Sequence, residues 1–143
     1  MIDKIVAFLM KFMKVEVAVA AIIEEKGKIL LTKRTKSIVD GGKWCLPGGH
    51  LKKWEKSEDA VKREVNEEIG LKFKKSKLLF VNEEFVKRLN LHAVVFVYKF
   101  DFSGRIKKNW EVKEFGWFAR KEIGKMDLAF THKEMLNKYW GMK

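Results

Sequence analysis

The stretch GHLKKWEKSEDAVKREVNEEIGL, residues 49–71, decides how this chain is read. Its second half predicts a helix over 57–69. Ser57 is placed as the N-cap, Glu58 and Asp59 favour the positive end of the helix dipole, and Gly70 supplies the C-terminal stop. Val61, Val65 and Ile69 recur every four residues and form the stripe that faces a core. Glu64, Glu67 and Glu68 fall mainly on another face, clustered within a turn. Like charges at that spacing repel. In a chain of formal net charge +12 the cluster calls for compensation by basic neighbours, by solvent or by a bound cation.

The residues ahead of the helix bear on that choice. Pro47-Gly48-Gly49 forms a tight turn where backbone carbonyls can approach a ligand closely. A hard divalent ion such as Mg²⁺ takes oxygen ligands, commonly a few carboxylates together with substrate phosphates. Arg63 can brace a carboxylate through a forked hydrogen bond, and Glu55 is its expected partner. For the three glutamates alone, a solvated acidic face screened by Lys56, Lys62 and Arg63 is the simpler reading.

Outward from the helix, residues 15–23 (VEVAVAAII) read as a largely buried strand, and residues 28–33 (KILLTK) as its hairpin partner across a turn at 24–27. Residues 34–42 form a loop. Strands are expected at 77–86, 91–100 and 112–119, and a closing helix at 131–140. Strands around a central helix, with a late helix, imply a mixed α/β (α+β) layered domain. The 143 residues suffice for one domain with a real core. Residues 1–12 read as an amphipathic extension ahead of a single domain at 13–143, with Met13 a candidate alternative start. No apolar run reaches the ~20 residues of a membrane span. A single cysteine, Cys45, excludes an internal disulfide and fits a reducing, cytoplasmic setting; its apolar neighbours suggest a buried structural thiol. The basic excess, 31 Lys+Arg against 19 Asp+Glu, is spread along the chain and favours anionic ligands. Nucleic acid is the less favoured partner, because aromatic and basic residues do not interleave in a binding motif.

The spacing tips the balance toward a cation. Gly49, five residues, Glu55, seven residues, then Arg63-Glu64-Val65-Asn66-Glu67-Glu68-Ile69-Gly70-Leu71 resembles the Nudix box, G-x5-E-x7-R-E-U-x-E-E-x-G-U with U aliphatic, at every specified position. LPGG (46–49) and EFGWF (114–118) extend the likeness to MutT-type Nudix domains. The resemblance implies an α/β/α sandwich with a central mixed sheet and a catalytic loop-helix-loop. It implies divalent-metal binding, Mg²⁺ or Mn²⁺, at Glu67 and Glu68 and at the Gly48 carbonyl. Glu64 would bind metal or activate water, and Arg63 with Glu55 would form the orienting pair. An additional carboxylate from the C-terminal half is expected at Glu111 or Glu114.

The implied reaction is hydrolysis of a nucleoside diphosphate linked to another group. LPGG and EFGWF favour a nucleoside triphosphate, ordinary or oxidised, cleaved to monophosphate and pyrophosphate. ADP-ribose pyrophosphatases usually carry a proline downstream of the box. The only proline here is Pro47, which disfavours that subclass. Arg34 and Lys36 are candidate phosphate contacts, and Phe85 and Trp117 candidate base-stacking residues, although core packing is the default for strand aromatics. An RNA 5′-end pyrophosphohydrolase and a non-catalytic nucleotide-binding module are the alternatives. The oligomeric expectation is a monomer or a homodimer.

Overall fold

The computed structural model describes residues 2–10 and 14–143, so the boundary expected at Met13 lies outside the described residues. A first helix, α1 (Ile2–Met10), carries exposed Ile5, Val6, Phe8 and Leu9. The strands that follow are β1 (Glu16–Ile22), β2 (Glu24–Glu25), β3 (Lys28–Arg34), β4 (Trp44–Cys45) and β5 (Gly48–His50). Helix α2 (Ser57–Ile69) precedes two long strands, β6 (Lys72–Val86) and β7 (Leu91–Ser103). Strand β8 (Val112–Ala119), a short α3 (Arg120–Ile123) and α4 (His132–Gly141) complete the chain.

One mixed sheet has the order β5-β1-β7-β6, with β1 and β7 parallel and the outer pairs antiparallel. The second sheet is built on β3, which pairs with β2, β4 and β8. Strand β1 is central, and this explains its nearly unbroken apolar run. Val19 and Ala21 face one cluster with Val61, Val65 and Ile69 of α2. Ala20 and Ile22 face another with Met135, Leu136 and Tyr139 of α4. Helices therefore flank the sheet on both faces, as the resemblance implies.

The hairpin expected between residues 15–23 and 28–33 forms only at its tip. Lys26 and Gly27 turn with φ of 52° and 76°, and β2 pairs with the first residues of β3. Beyond Ile23 the chain changes sheet: β1 takes β7 and β5 as neighbours and β3 takes β8 and β4. The turn chemistry is local, whereas sheet membership is decided by long-range packing.

Helix α2 has the expected limits, and Gly70 adopts a left-handed φ of 69° with its N–H on the Asn66 carbonyl. The N-cap is Lys56 rather than Ser57. Ser57 Oγ instead meets the Tyr98 hydroxyl at 2.6 Å, which ties the helix start to β7. Cys45 is buried and its thiol is pushed up to about 11 by that burial, as expected of an inert structural thiol.

Candidate active site

Gly48 and Gly49, expected in a tight turn, are instead extended residues of β5 paired with β1, and β5 lies against α2. A Cβ on Gly49 would lie 2.5 Å from the Glu64 carboxylate, and one on Gly48 would collide with the Val19 carbonyl. Bare glycine backbone therefore lets the acidic helix face approach the sheet edge. Arg63 organises that face. Its Nε and Nη2 donate to the two Glu55 oxygens at 2.8 and 2.9 Å, the forked pairing expected from the sequence. Nη1 donates to Glu64 at 2.7 Å and to Glu67 at 3.2 Å, and Nη2 also reaches the His50 carbonyl at 3.0 Å. Glu55 is consequently held down to about 2, chiefly by the Arg63 bonds.

Glu68 and Glu64 shift the other way from Glu55. Burial, and then the charges of Glu64 and Glu111, raise Glu68 well above the ordinary carboxylate range. Glu64 is also raised, first by burial, with Arg63 opposing and Glu67 and Glu111 adding to the rise. Among the described residues no three Asp, Glu, His or Cys side chains converge as a ready-made cage, since Arg63 engages both Glu64 and Glu67. The donor set nevertheless suits a hard divalent cation. Glu68 is a buried carboxylate facing the negative charges of Glu64 and Glu111, offset only in part by Arg34 and a Gly48 N–H bond, and carboxylate oxygens are the ligands such an ion takes.

These residues form one end of a cleft of about 650 Å³. Glu64, Glu67, Glu68, Gly48 and Arg63 line it, and so does Glu111, in the turn before β8. Glu114 is exposed on β8 and does not line it, so of the two candidates only Glu111 joins the acidic group. Arg34 also lines the cleft, with its guanidinium 4.9 Å over the Phe130 ring and Nε on the Val39 carbonyl at 2.7 Å. Lys36 is exposed and outside the cleft. Phe85 is exposed on the other face of β6 and packs on His92 at 4.7 Å. Trp117 packs against Phe102, among the residues around the α2 core. Neither aromatic lines the cleft: strand alternation turns Phe85 away from the side that Glu84 faces, and no residue of β8 reaches it.

Sequence reasoning missed Asp40, Glu84 and His132. Asp40, at a left-handed φ of 56°, anchors the loop 35–43 that overhangs the cleft. It accepts both Arg88 terminal nitrogens at 2.8 Å and the Phe130 N–H at 2.9 Å. Those bonds, the Arg88 pair first, lower it to about 2. Its folded value lies below the ordinary unfolded one, so its stabilisation is full above about pH 4 and is lost as pH falls through about 2. Arg88 is half exposed, and solvent weakens its share. Asp40→Asn, which tolerates the same backbone, should cost about 1–2 kcal/mol at neutral pH. Urea denaturation of both proteins should show that difference closing between about pH 4 and pH 2.

The NUDIX domain model matches residues 13–139. The chain is 36% identical over 128 residues to an ADP-ribose pyrophosphatase of Methanocaldococcus jannaschii, covering 89% of this chain and 74% of that one. It is 42% identical over 59 residues to a CTP pyrophosphohydrolase of Escherichia coli, covering 41% and 44%. A MutT NUDIX hydrolase structure from Burkholderia pseudomallei superposes with a TM-score of 0.79 at 32% identity, over 87% of this chain and 97% of that one. An intact box, set on two bare strand glycines and braced by one arginine in a fold shared with these hydrolases, leaves one assignment: the chain belongs to the Nudix family and is a Nudix pyrophosphohydrolase.

Proposed function

We propose that the chain hydrolyses a nucleoside triphosphate to the monophosphate and pyrophosphate, with Mg²⁺, or Mn²⁺ in its place, as cofactor. The observation that carries this reading is the order of groups along the cleft. The acidic helix face lies against β5, Arg34 is near enough to act on both Glu68 and His132, and Leu89 and Leu91 lie across the sheet at β6 and β7, with Ile38 and Phe130 also lining the cleft. That order matches metal-bound phosphates, an anionic chain and a base.

Glu68, Glu67, Glu64 and the Gly48 carbonyl are the groups proposed to hold the metal, with Glu111 as the additional carboxylate. When bound, such an ion supplies charge neutralisation on the phosphates and acidifies water. Glu64 Oε1 is occupied by Arg63, which leaves Oε2 to take a proton from the attacking water. Arg63 with Glu55 fixes the angle of that carboxylate. Arg34 is positioned to contact a phosphate oxygen of the substrate.

A second reading comes from the Methanocaldococcus relative, whose name is ADP-ribose pyrophosphatase. It stands against the missing downstream proline. A Mg²⁺-dependent screen over the four NTPs and dNTPs, oxidised dGTP, ADP-ribose and triphosphorylated RNA separates the readings by product. Pyrophosphate with a nucleoside monophosphate is the expected result. AMP with ribose 5-phosphate, from ADP-ribose alone, would overturn it, and turnover of RNA alone would do the same.

A further inference from the structure

The floor of the cleft crosses the first sheet from β5 through β1 and β7 to β6. Glu16, Ala18, Ala93 and Val95 form part of it, and Glu84 sits directly opposite Ala93 at the β6 side. Three inter-strand spacings, about 14 Å, therefore separate β5 from Glu84. That span suits a nucleotide lying from its phosphates to the edge of its base.

Glu84 is only 4% exposed. Its Oε2 accepts two bonds, from the Thr131 hydroxyl at 2.6 Å and from the Thr131 N–H at 3.1 Å. Among the described residues no hydrogen bond reaches Oε1. Beside Thr131 stands His132, also buried and also lining the cleft. Its Nδ1 accepts the Leu46 N–H at 2.9 Å. A ring nitrogen that accepts carries no proton, so the neutral imidazole holds its proton on Nε2. Burial keeps the ring neutral, its pKa lowered to about 3. Around Thr131 the cleft thus holds one open acceptor and one donor of fixed tautomer, and a ligand that covered either without pairing it would lose affinity.

We propose that Glu84 and His132 read the base, with Glu84 Oε1 accepting from an exocyclic amine and His132 Nε2 donating to the neighbouring ring nitrogen. The base atom farthest from the sugar is the 4-substituent of a pyrimidine or the 6-substituent of a purine. It reaches the β6 side first. Adenine and cytosine present an amine there beside an acceptor nitrogen. Hypoxanthine and uracil present a carbonyl beside an N–H, which sets oxygen against carboxylate. This selectivity rests on the reading that the cleft takes a nucleotide, whatever group is joined to the phosphates.

Binding of nucleoside monophosphates tests it without requiring turnover. Calorimetric titration of the wild type with AMP against IMP, and CMP against UMP, should favour the amine member by tenfold or more in Kd. GMP, with its 6-keto group, is expected beside IMP. Glu84→Gln keeps the shape, and its amide oxygen can still accept from Thr131, but it presents an N–H₂ where Oε1 stood. The preference should fall to within threefold or reverse, with circular dichroism and thermal melting reporting an intact fold. Equal affinities within both wild-type pairs would overturn the inference and leave the nucleotide reading standing; that comparison needs no variant. A selectivity unchanged in folded Glu84→Gln would reduce Glu84 to a clamp on Thr131. Failure of every monophosphate to bind would remove both readings.

Discussion

Glu64→Gln is expected to lower kcat by about 10²–10⁴-fold while leaving the fold intact. The side chain lies against bare Gly49 backbone, and glutamine has the same shape, so the substitution opens no cavity. Its amide oxygen can turn toward Arg63 and keep that bond, while Arg63 retains both bonds to Glu55. What disappears is a negative charge that burial, and then Glu67 and Glu111, already disfavour against the pull of Arg63. Melting temperature should therefore stay level or rise slightly. The loss should fall on kcat, because a neutral amide neither takes a proton from water nor offers a charged oxygen to a cation. Steady-state kinetics at saturating Mg²⁺ checks this. A well-folded variant with wild-type turnover would remove Glu64 from the proposed chemistry.

Much of this site was legible because the decisive signals are local. The limits of α2, its Val61–Val65–Ile69 stripe and the Glu55–Arg63 fork all follow from spacing along one helix and the loop before it. The cleft's other wall was not legible in the same way. Asp40 works through Arg88 and Phe130, far from it in sequence, so no local pattern announces it. Glu84 left a faint trace. It shares a strand face with buried Val86, and a carboxylate on an inward face is unusual enough to merit a question. Whether that face is core or cleft depends on how the segment 130–132 covers β6, which periodicity does not record. Phe85 and Trp117 illustrate the converse. Aromatic identity suggested stacking, but strand alternation and packing partners decide which way such rings point.

Arg63→Lys should be nearly as damaging as loss of the glutamate, although it preserves the charge. The guanidinium makes five contacts from one plane: two to Glu55, one each to Glu64, Glu67 and the His50 carbonyl. An ammonium is a point charge with three donors and cannot span a forked carboxylate and two further side chains together. Glu55 would lose the pairing that holds it near 2, and Glu64 and Glu67 would no longer be held at fixed angles. A fall in kcat of about 10–100-fold is expected, with a higher Mg²⁺ concentration needed for half-maximal rate. A general loss of stability would instead appear in the melting temperature and leave the metal requirement of the folded fraction unchanged. The double-mutant cycle with Glu55→Gln separates the two. Because both single changes break the same pair, their combined effect on kcat should be well short of additive. Additive losses would mean that Glu55 and Arg63 act independently, and the fork would then have no part in positioning Glu64.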